Sequence, residues 1–424
     1  MTPPAPWLSP ISMLALAVGV LACADRAWKW WYADRFLTRW QPIDGAPVPE
    51  DRAAGGDGHA SIDVLQPIVS GDPTMEGGIV RTVEAIAGPG VSFIWMVDEH
   101  DEAGQAICAR VAALALLRGA RRAEILVTQP APQGVNPKSY KLRVAAGGTD
   151  GDFICVLDDD TVLPVGSLDR AVAALRRPGS GLAFGVPYYE TWSTVWSRLV
   201  SGFVNGHSLT TYLPPLALTP PITVNGMFYV MPRAALAACG GFAAMERELA
   251  DDYAISQLFA RRGYALVQTD IRHPVNTTVF TLAQYAKLFK RWLRAPQVSI
   301  ERGASGRERA IYYALAVLPA CYPLVLTILA LVAPGLVTAG AALSLASVIL
   351  ASAVHLNRRW LPGGTPWYGY AFVLLMQVLL PLHLLLTWVR RDTVTWRGNV
   401  LRLDAATGGM TYAARAGGVG EVAP

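Results

Sequence analysis

Four stretches of the chain are apolar over a length that matters for a membrane: Trp7–Ala24 near the start, then Ala310–Ala333, Val337–His355 and Tyr368–Val389. Each is close to the roughly 20 residues a helix needs to cross a bilayer. Between them, from Ser61 onward, short apolar runs alternate with segments of helical period. Ile62–Val69, Phe93–Val97, Ala123–Thr128 and Phe153–Leu157 read as strands, and Gly78–Ala87, Ala106–Arg118 and Tyr140–Ala146 as the helices between them. This alternation predicts an α/β domain on an open, mostly parallel sheet flanked by helices, with one N-terminal and about three C-terminal membrane segments. The expected division is an anchor at residues 1–32, a soluble domain at 61–295, membrane segments at 296–389 and a tail at 390–424.

Composition agrees with a mixed membrane and soluble chain. Of 424 residues, 52% are hydrophobic and only 16% charged, against about a quarter charged in a soluble domain. The net charge of +4 is modest and forms no long basic block, which argues against a nucleic-acid partner. Five scattered cysteines (Cys23, Cys108, Cys155, Cys239, Cys321) include no CxxC pair, so neither a zinc site nor a disulfide framework is indicated.

Charge also sets an expected orientation. Arg26, Lys29, Arg35 and Arg39 follow the first apolar stretch and none precedes it. The positive-inside rule then puts the α/β domain in the cytosol, at the inner membrane. The missing basic n-region speaks against reading the first stretch as a cleaved signal peptide, despite Ala22-Cys23-Ala24. Lys287, Lys290, Arg291, Arg294, Arg302, Arg307 and Arg309 before the second stretch, and Arg358 and Arg359 after the third, agree. The last stretch conflicts: if it crosses, Arg390, Arg391, Arg397 and Arg402 end outside. Pro381 within it is compatible with a kink or a re-entrant hairpin.

Open parallel sheets bind ligands at the carboxyl ends of their strands. Asp158-Asp159-Asp160 directly follows one apolar run, and Asp98 and Asp101 follow another. Two carboxylates two residues apart project to one side of extended chain. Asp158 and Asp160 are thus candidates to hold Mg²⁺ or Mn²⁺ together with substrate phosphates, the alternative being a solvated acidic turn. Lys138, in Asn136-Pro137-Lys138, is a solvated cation or a partner for a diphosphate. Asp251 and Asp252 open a predicted helix, where acids also complement the dipole. Asp252 is favoured as a base for a hydroxyl proton. Arg291-Trp292 reads as an interfacial anchor, as a clamp on a diphosphate, or as both.

The order of these fragments resembles the ceramide glucosyltransferases and their bacterial relatives, within the GT-A inverting glycosyltransferases. The resemblance runs from about Asp63 to Leu403. It is carried by Gln66-Pro67, Gly71-Asp72, His100-Asp101, Gly134-Val135-Asn136-Pro137-Lys138 and Asp158-Asp159-Asp160. Further along come Val224-Asn225-Gly226-Met227, Gly240-Gly241, Ala250-Asp251-Asp252-Tyr253, Arg291-Trp292 and Trp396-Arg397. It implies a GT-A-like fold, Asp98 and Asp101 at the nucleoside end of a UDP-sugar, and Lys138 at its diphosphate. It also implies Asp158 and Asp160 on a divalent metal, Asp252 as general base and His207 on the acceptor side. Leu288 stands where the family carries Gln or Arg before its Arg-Trp pair, and Asp251 where Glu is common. The activity implied is transfer of one sugar to a lipid hydroxyl, ceramide or similar, with a hopanoid or diacylglycerol as alternative acceptor. Four apolar segments are few for a polysaccharide synthase channel. A scaffold without activity is at odds with keeping Asp158, Asp160 and Asp252 together.

Overall fold

The computed structural model describes residues 9–40, 60–132, 134–248 and 250–389, with three short strands at 393–396, 399–403 and 410–412. Trp7, Arg390, Arg391 and Arg397 lie outside the described residues. The chain starts with α1, Pro10–Arg39, whose N-cap Ser9 accepts from Ser12 N and whose first position is proline. Both features favour a helix start. α1 is longer than the apolar stretch that predicts it, because Arg26, Lys29, Ala33 and Leu37 continue one buried face at helical spacing.

The α/β domain follows: β1 (Ile62–Pro67), α2 (Met75–Ile86), β2 (Val91–Asp98), α3 (Glu102–Leu117), β3 (Arg122–Thr128), α4 (Pro137–Ala146) and β4 (Phe153–Leu157). Each of these matches a predicted element, with ends shifted by a few residues. The second half is α5 (Ser167–Leu175), β5 (Ser180–Tyr189), α6 (Val195–Tyr212), β6 (Phe228–Pro232), α7 (Arg233–Ala238), α8 (Asp251–Arg261) and β7 (Ala265–Val275). The seven strands run in the order β3-β2-β1-β4-β6-β5-β7. All are parallel except β6, which pairs antiparallel with both neighbours.

Alternate strand residues feed two cores, one on each sheet face. Val64, Phe93, Trp95, Cys155 and Leu157 join one; Leu65, Ile94, Met96, Ile154 and Val156 join the other. Helices cover both faces, which is why these strands are near-continuously apolar. Strand order reverses between β1 and β4, and a crevice at such a switch point is where open sheets take ligands.

α9 (Leu282–Gly303) opens with a capping box, Thr281 with Gln284, and runs unbroken across residue 295. α10 (Gly306–Tyr312), a π-helical turn at Tyr313–Val317 and α11 (Leu318–Val332) then form one continuous apolar rod. α12 (Leu336–Trp360) and α13 (Gly369–Val389) follow, then β8 (Thr393–Trp396), β9 (Asn399–Leu403) and β10 (Met410–Tyr412) in a small antiparallel sheet. Among the described residues, four helical stretches are long and apolar enough to cross a membrane: Pro10–Arg39, Gly306–Val332, Leu336–Trp360 and Gly369–Thr387. One is N-terminal and three are C-terminal, as the hydropathy pattern predicts.

Candidate active site

At the switch point, β1 and the aspartate turn are tied together by one buried side chain. Gln66 accepts from Trp95 Nε1 at 2.9 Å and donates to the carbonyl of Asp158 at 3.0 Å. The three aspartates then go separate ways. Asp159 accepts from the backbone of Val69 at 2.9 Å, which holds the β1–α2 loop. Asp160 accepts from Thr277 Oγ1 at 2.6 Å, just after β7. Asp158 turns to Lys138, with Oδ1 at 2.6 Å from Nζ.

Lys138 is placed by local capping. Asn136 is the N-cap of α4 and accepts from Lys138 N and Ser139 N. Its own backbone and side-chain N–H groups donate to the carbonyls of Glu246 and Glu248, at 2.7 and 3.0 Å. The start of α4 is thus fastened to the loop that leads into α8. Lys138 Nζ consequently lies 3.0 Å from Asp251 Oδ2 and donates to Gly226 O at 2.8 Å. Burial alone would lower the lysine; the Asp158 and Asp251 carboxylates override it and hold the ammonium well above its ordinary range. Burial raises the Asp158 carboxyl in spite of Lys138.

Asp251, not Asp252, is therefore the partner of the lysine. Asp252 accepts from Tyr253 N at 2.7 Å and lies against Gly226, where an added Cβ would come within 3.0 Å of its own Cβ. Burial, and then the adjacent Asp251 charge, push the Asp252 carboxyl up to about 7. A group poised there can accept a proton at neutral pH.

Tyr189, at the end of β5, marks where the rest of the site converges. Burial raises its phenol well above the ordinary value, and the charges of Asp160, Arg291 and Asp158 all bear on it. The Trp292 ring meets Tyr189 edge-on at 5.9 Å. Phe203 on α6 stacks against Trp292 at 6.3 Å and meets His207 at a tilt, 4.9 Å away. Arg291 and Trp292 thus join the strand-end cluster, and His207 is linked to it through aromatic rings. His207 Nδ1 donates to Phe203 O at 2.8 Å. Burial first, then Arg26, depress it to about 4, so the ring is neutral at pH 7.

Asp98 ends β2 and Asp101 follows in the next turn, each already engaged. Asp98 pairs with Lys141 Nζ at 2.9 Å, and Lys141 also donates to Ile68 O at 3.0 Å. Asp101 caps α3, accepting from Gly104 N at 2.8 Å and from the backbone and hydroxyl of Ser70. Against burial, these bonds hold its carboxyl below the ordinary range.

No group of three or more His, Cys, Asp or Glu side chains gathers as a metal cage among the described residues. The donor set still suits a hard divalent ion. Around Tyr189 and Lys138, the carboxylates of Asp158, Asp160, Asp251 and Asp252 gather more negative charge than Lys138 offsets. Such an excess of negative charge favours a bound cation. Mg²⁺ is commonly held by one or two carboxylates plus substrate phosphates, which Asp158 and Asp160 can supply in part.

Behind α6, at the level of the membrane helices, a cavity of about 50 Å³ is lined by Arg26, Lys29, His207, Thr210, Tyr322 and Gln377. Arg26 donates to Ser352 Oγ, Thr210 Oγ1 and Gly206 O at 2.7, 3.0 and 3.2 Å. Lys29 pairs with Asp25 at 2.8 Å and donates to Leu315 O within the π-helical turn. A wider recess of about 750 Å³ lies between α1 and α12 and contains none of the candidate site residues.

Sequence reasoning overlooked Tyr189, Lys141, Gly226 and the Lys138–Asp251 pair. Gly226 stood in a quoted motif without a role. Tyr189 and Lys141 carry no local signature; only the folded sheet brings them to the strand ends.

An open α/β sheet with aspartates clustered at its switch point, joined to candidate membrane helices, agrees with the GT-A-like membrane glycosyltransferase that the sequence resemblance implies. A model of glycosyl transferase family 21 matches residues 49–408, and the chain belongs to that family, the ceramide glucosyltransferase family. A search of the curated proteins finds no match. Among solved structures, the chain is similar to the mannosyltransferase PcManGT from Pyrobaculum calidifontis, in complex with GDP-Man and Mn²⁺. Identity is 16%, coverage 88% of this chain and 99% of that one, and the TM-score 0.49. It is also similar to glucosyl-3-phosphoglycerate synthase from Mycobacterium tuberculosis, in complex with Mg²⁺ and UDP. There identity is 16%, coverage 55% and 78%, and the TM-score 0.33.

Proposed function

We propose that the protein transfers one sugar from a UDP-sugar to a lipid hydroxyl, of ceramide or a similar lipid, by a single inverting displacement. The observation that carries this reading is the unequal pair at the start of α8. Asp251 is held in an ion pair with Lys138, whereas Asp252 is raised to about 7 and lies against Gly226. Asp252 takes the proton of the acceptor hydroxyl as its oxygen attacks the anomeric carbon. The bond from that carbon to the diphosphate breaks on the opposite side, so configuration inverts. Lys138 and Arg291 bind the diphosphate, with Trp292 beside it; Asp98 and Asp101 order the loops at the nucleoside end. Asp158 and Asp160 would hold Mg²⁺ or Mn²⁺, which stabilises charge on a leaving diphosphate when bound.

The acceptor side is α6 and the cavity behind it. Polar groups at membrane level are expensive and mark functional sites. Neutral His207 is suited to hydrogen-bond a hydroxyl head while the lipid chains stay among the helices. A diacylglycerol or hopanoid presents the same group, and lipid extracts from a deletion strain, compared by mass spectrometry, tell these acceptors apart. The charge pattern orients the α/β domain to the cytosol at the inner membrane.

Purified protein with UDP-sugar and lipid tests the reading. Transfer is expected with Mg²⁺ or Mn²⁺, to be lost in excess chelator and restored by adding the ion back. In the Asp160→Ala variant, metal-dependent donor binding should disappear while the protein stays folded. Full activity in chelator contradicts the metal assignment.

A further inference from the structure

α13 has the length and hydropathy of a membrane span, yet the structure keeps both of its ends beside the α/β domain. At its start, Gly369 packs on the ring of Trp192, in the segment between β5 and α6. Trp192 also donates to Gly364 O at 2.8 Å and meets Tyr368 edge-on. Still in its first turns, Phe372 and Val373 fill the gaps left by Gly202 and Gly206 on α6, and Gln377 one turn on also approaches Gly206. Toward its end, His383 Nε2 is 3.0 Å from Tyr285 Oη, and its ring lies 4.8 Å from Phe289, both on α9. β8, a few residues later, also packs on α9.

These contacts conflict with a crossing. A spanning helix carries its ends about 30 Å apart along the bilayer normal. From Gly369 to His383 the helix travels about 21 Å at 1.5 Å per residue. Over that distance one side of it rests on Trp192, α6 and α9, while another packs against α11 and α12. The remaining face exposes Leu375, Leu382, Leu385 and Leu386.

The neighbouring helices fix the level. α1 leads into the α/β domain, and α12 returns to the same level. Asp34 on α1 accepts from Arg359 and Trp360 on α12, at 3.1 and 2.9 Å, and lies 3.2 Å from His355. The chain is therefore already on the side of the α/β domain when α13 begins.

We propose that α13 lies in the plane of the membrane, its leucine face sunk among the acyl chains of the leaflet nearest the α/β domain. The chain then crosses three times, by α1, Gly306–Val332 and α12, and the C-terminal strands stay on the catalytic face against α9. The sequence supplies an independent reason. Arg390, Arg391, Arg397 and Arg402 break the positive-inside rule if α13 crosses and obey it if α13 does not.

Side-specific thiol labelling tests this in whole cells and in inverted vesicles, with the unsubstituted chain as background. Asp392→Cys reports the tail, Arg176→Cys the α/β domain, and Pro334→Cys the turn between α11 and α12. The expected result is that Asp392→Cys labels in the same preparation as Arg176→Cys, and Pro334→Cys in the other. If Asp392→Cys labels together with Pro334→Cys, α13 crosses and the proposal fails. An epitope fused to the C-terminus of the unsubstituted chain gives the same reading without disturbing the fold. Its exposure together with the α/β domain supports the proposal, and exposure on the opposite side overturns it.

Discussion

At the strand ends, Lys138 lies between Asp158 and Asp251, and the charges of Asp160 and Arg291 both bear on Tyr189. At the membrane end of α6, Arg26 is bonded to a serine, a threonine and a carbonyl, and His207 is neutral. The first region gathers charge and leaves carboxylates in excess, the arrangement suited to a cation and a diphosphate. The second ties Arg26 to neutral partners beside a neutral imidazole, the arrangement suited to a hydroxyl head entering from lipid. The division teaches where chemistry and recognition separate: charge moves in the first region, and orientation is set in the second.

Substitutions break the two regions in different ways. Asp252→Asn should have the largest effect, a loss of about 10²–10⁴-fold in transfer, the usual cost of removing a positioned base. Donor affinity measured by calorimetry should survive, because the lysine pair is untouched. Lys138→Met should reduce transfer by about 100-fold, as the loss of one electrostatic stabiliser does. Here donor affinity should fall as well. Asp251→Asn should cost about 10-fold or less, since Lys138 keeps Asp158; an Asp251 effect larger than that of Asp252 would exchange their roles. On the other side of the division, His207→Phe removes one hydrogen bond worth about 1 kcal/mol. It should raise the lipid KM by about 5-fold with kcat little changed. A fall in donor affinity instead would merge the two regions.

A stability measurement sharpens the comparison further. Because the folded state raises the Asp252 carboxyl to about 7, the folded chain binds more protons than the unfolded one between about pH 4 and 7. That contribution is present at low pH and is lost as pH rises through 7. Asp252→Asn should therefore raise the Tm relative to the parent at pH 8 and not at pH 4.

Much of the first region was legible in the chain. β1 to β4 and the helices between them follow from short apolar runs and helical periodicity, both local signals. Asp158, Asp160 and Asp252 are visible because acids directly follow apolar runs or open a helix. The second half of the sheet was not legible. β5 contains Gly181, Gly185 and Pro187, which break the continuous apolar run that marks a buried strand, and β6 is a five-residue strand stabilised by antiparallel pairing with β4. With β5 unseen, Tyr189 had no strand end to occupy. The Lys141–Asp98 and Lys138–Asp251 pairs join residues far apart in sequence, and spacing does not encode them. The last apolar stretch was legible as a candidate membrane helix, but its packing on Trp192, α6, α9 and α11 was not, because hydropathy measures how apolar a helix is and not what it rests on.

The central claim is that Asp252, held near neutrality by burial and by Asp251, is the base. The pH dependence of kcat/KM for the lipid acceptor reports on it directly. The parent protein should gain activity as pH rises, with a midpoint near 7, and that rising limb should be absent from the residual activity of Asp252→Asn. A limb that persists unchanged in Asp252→Asn would place the base elsewhere.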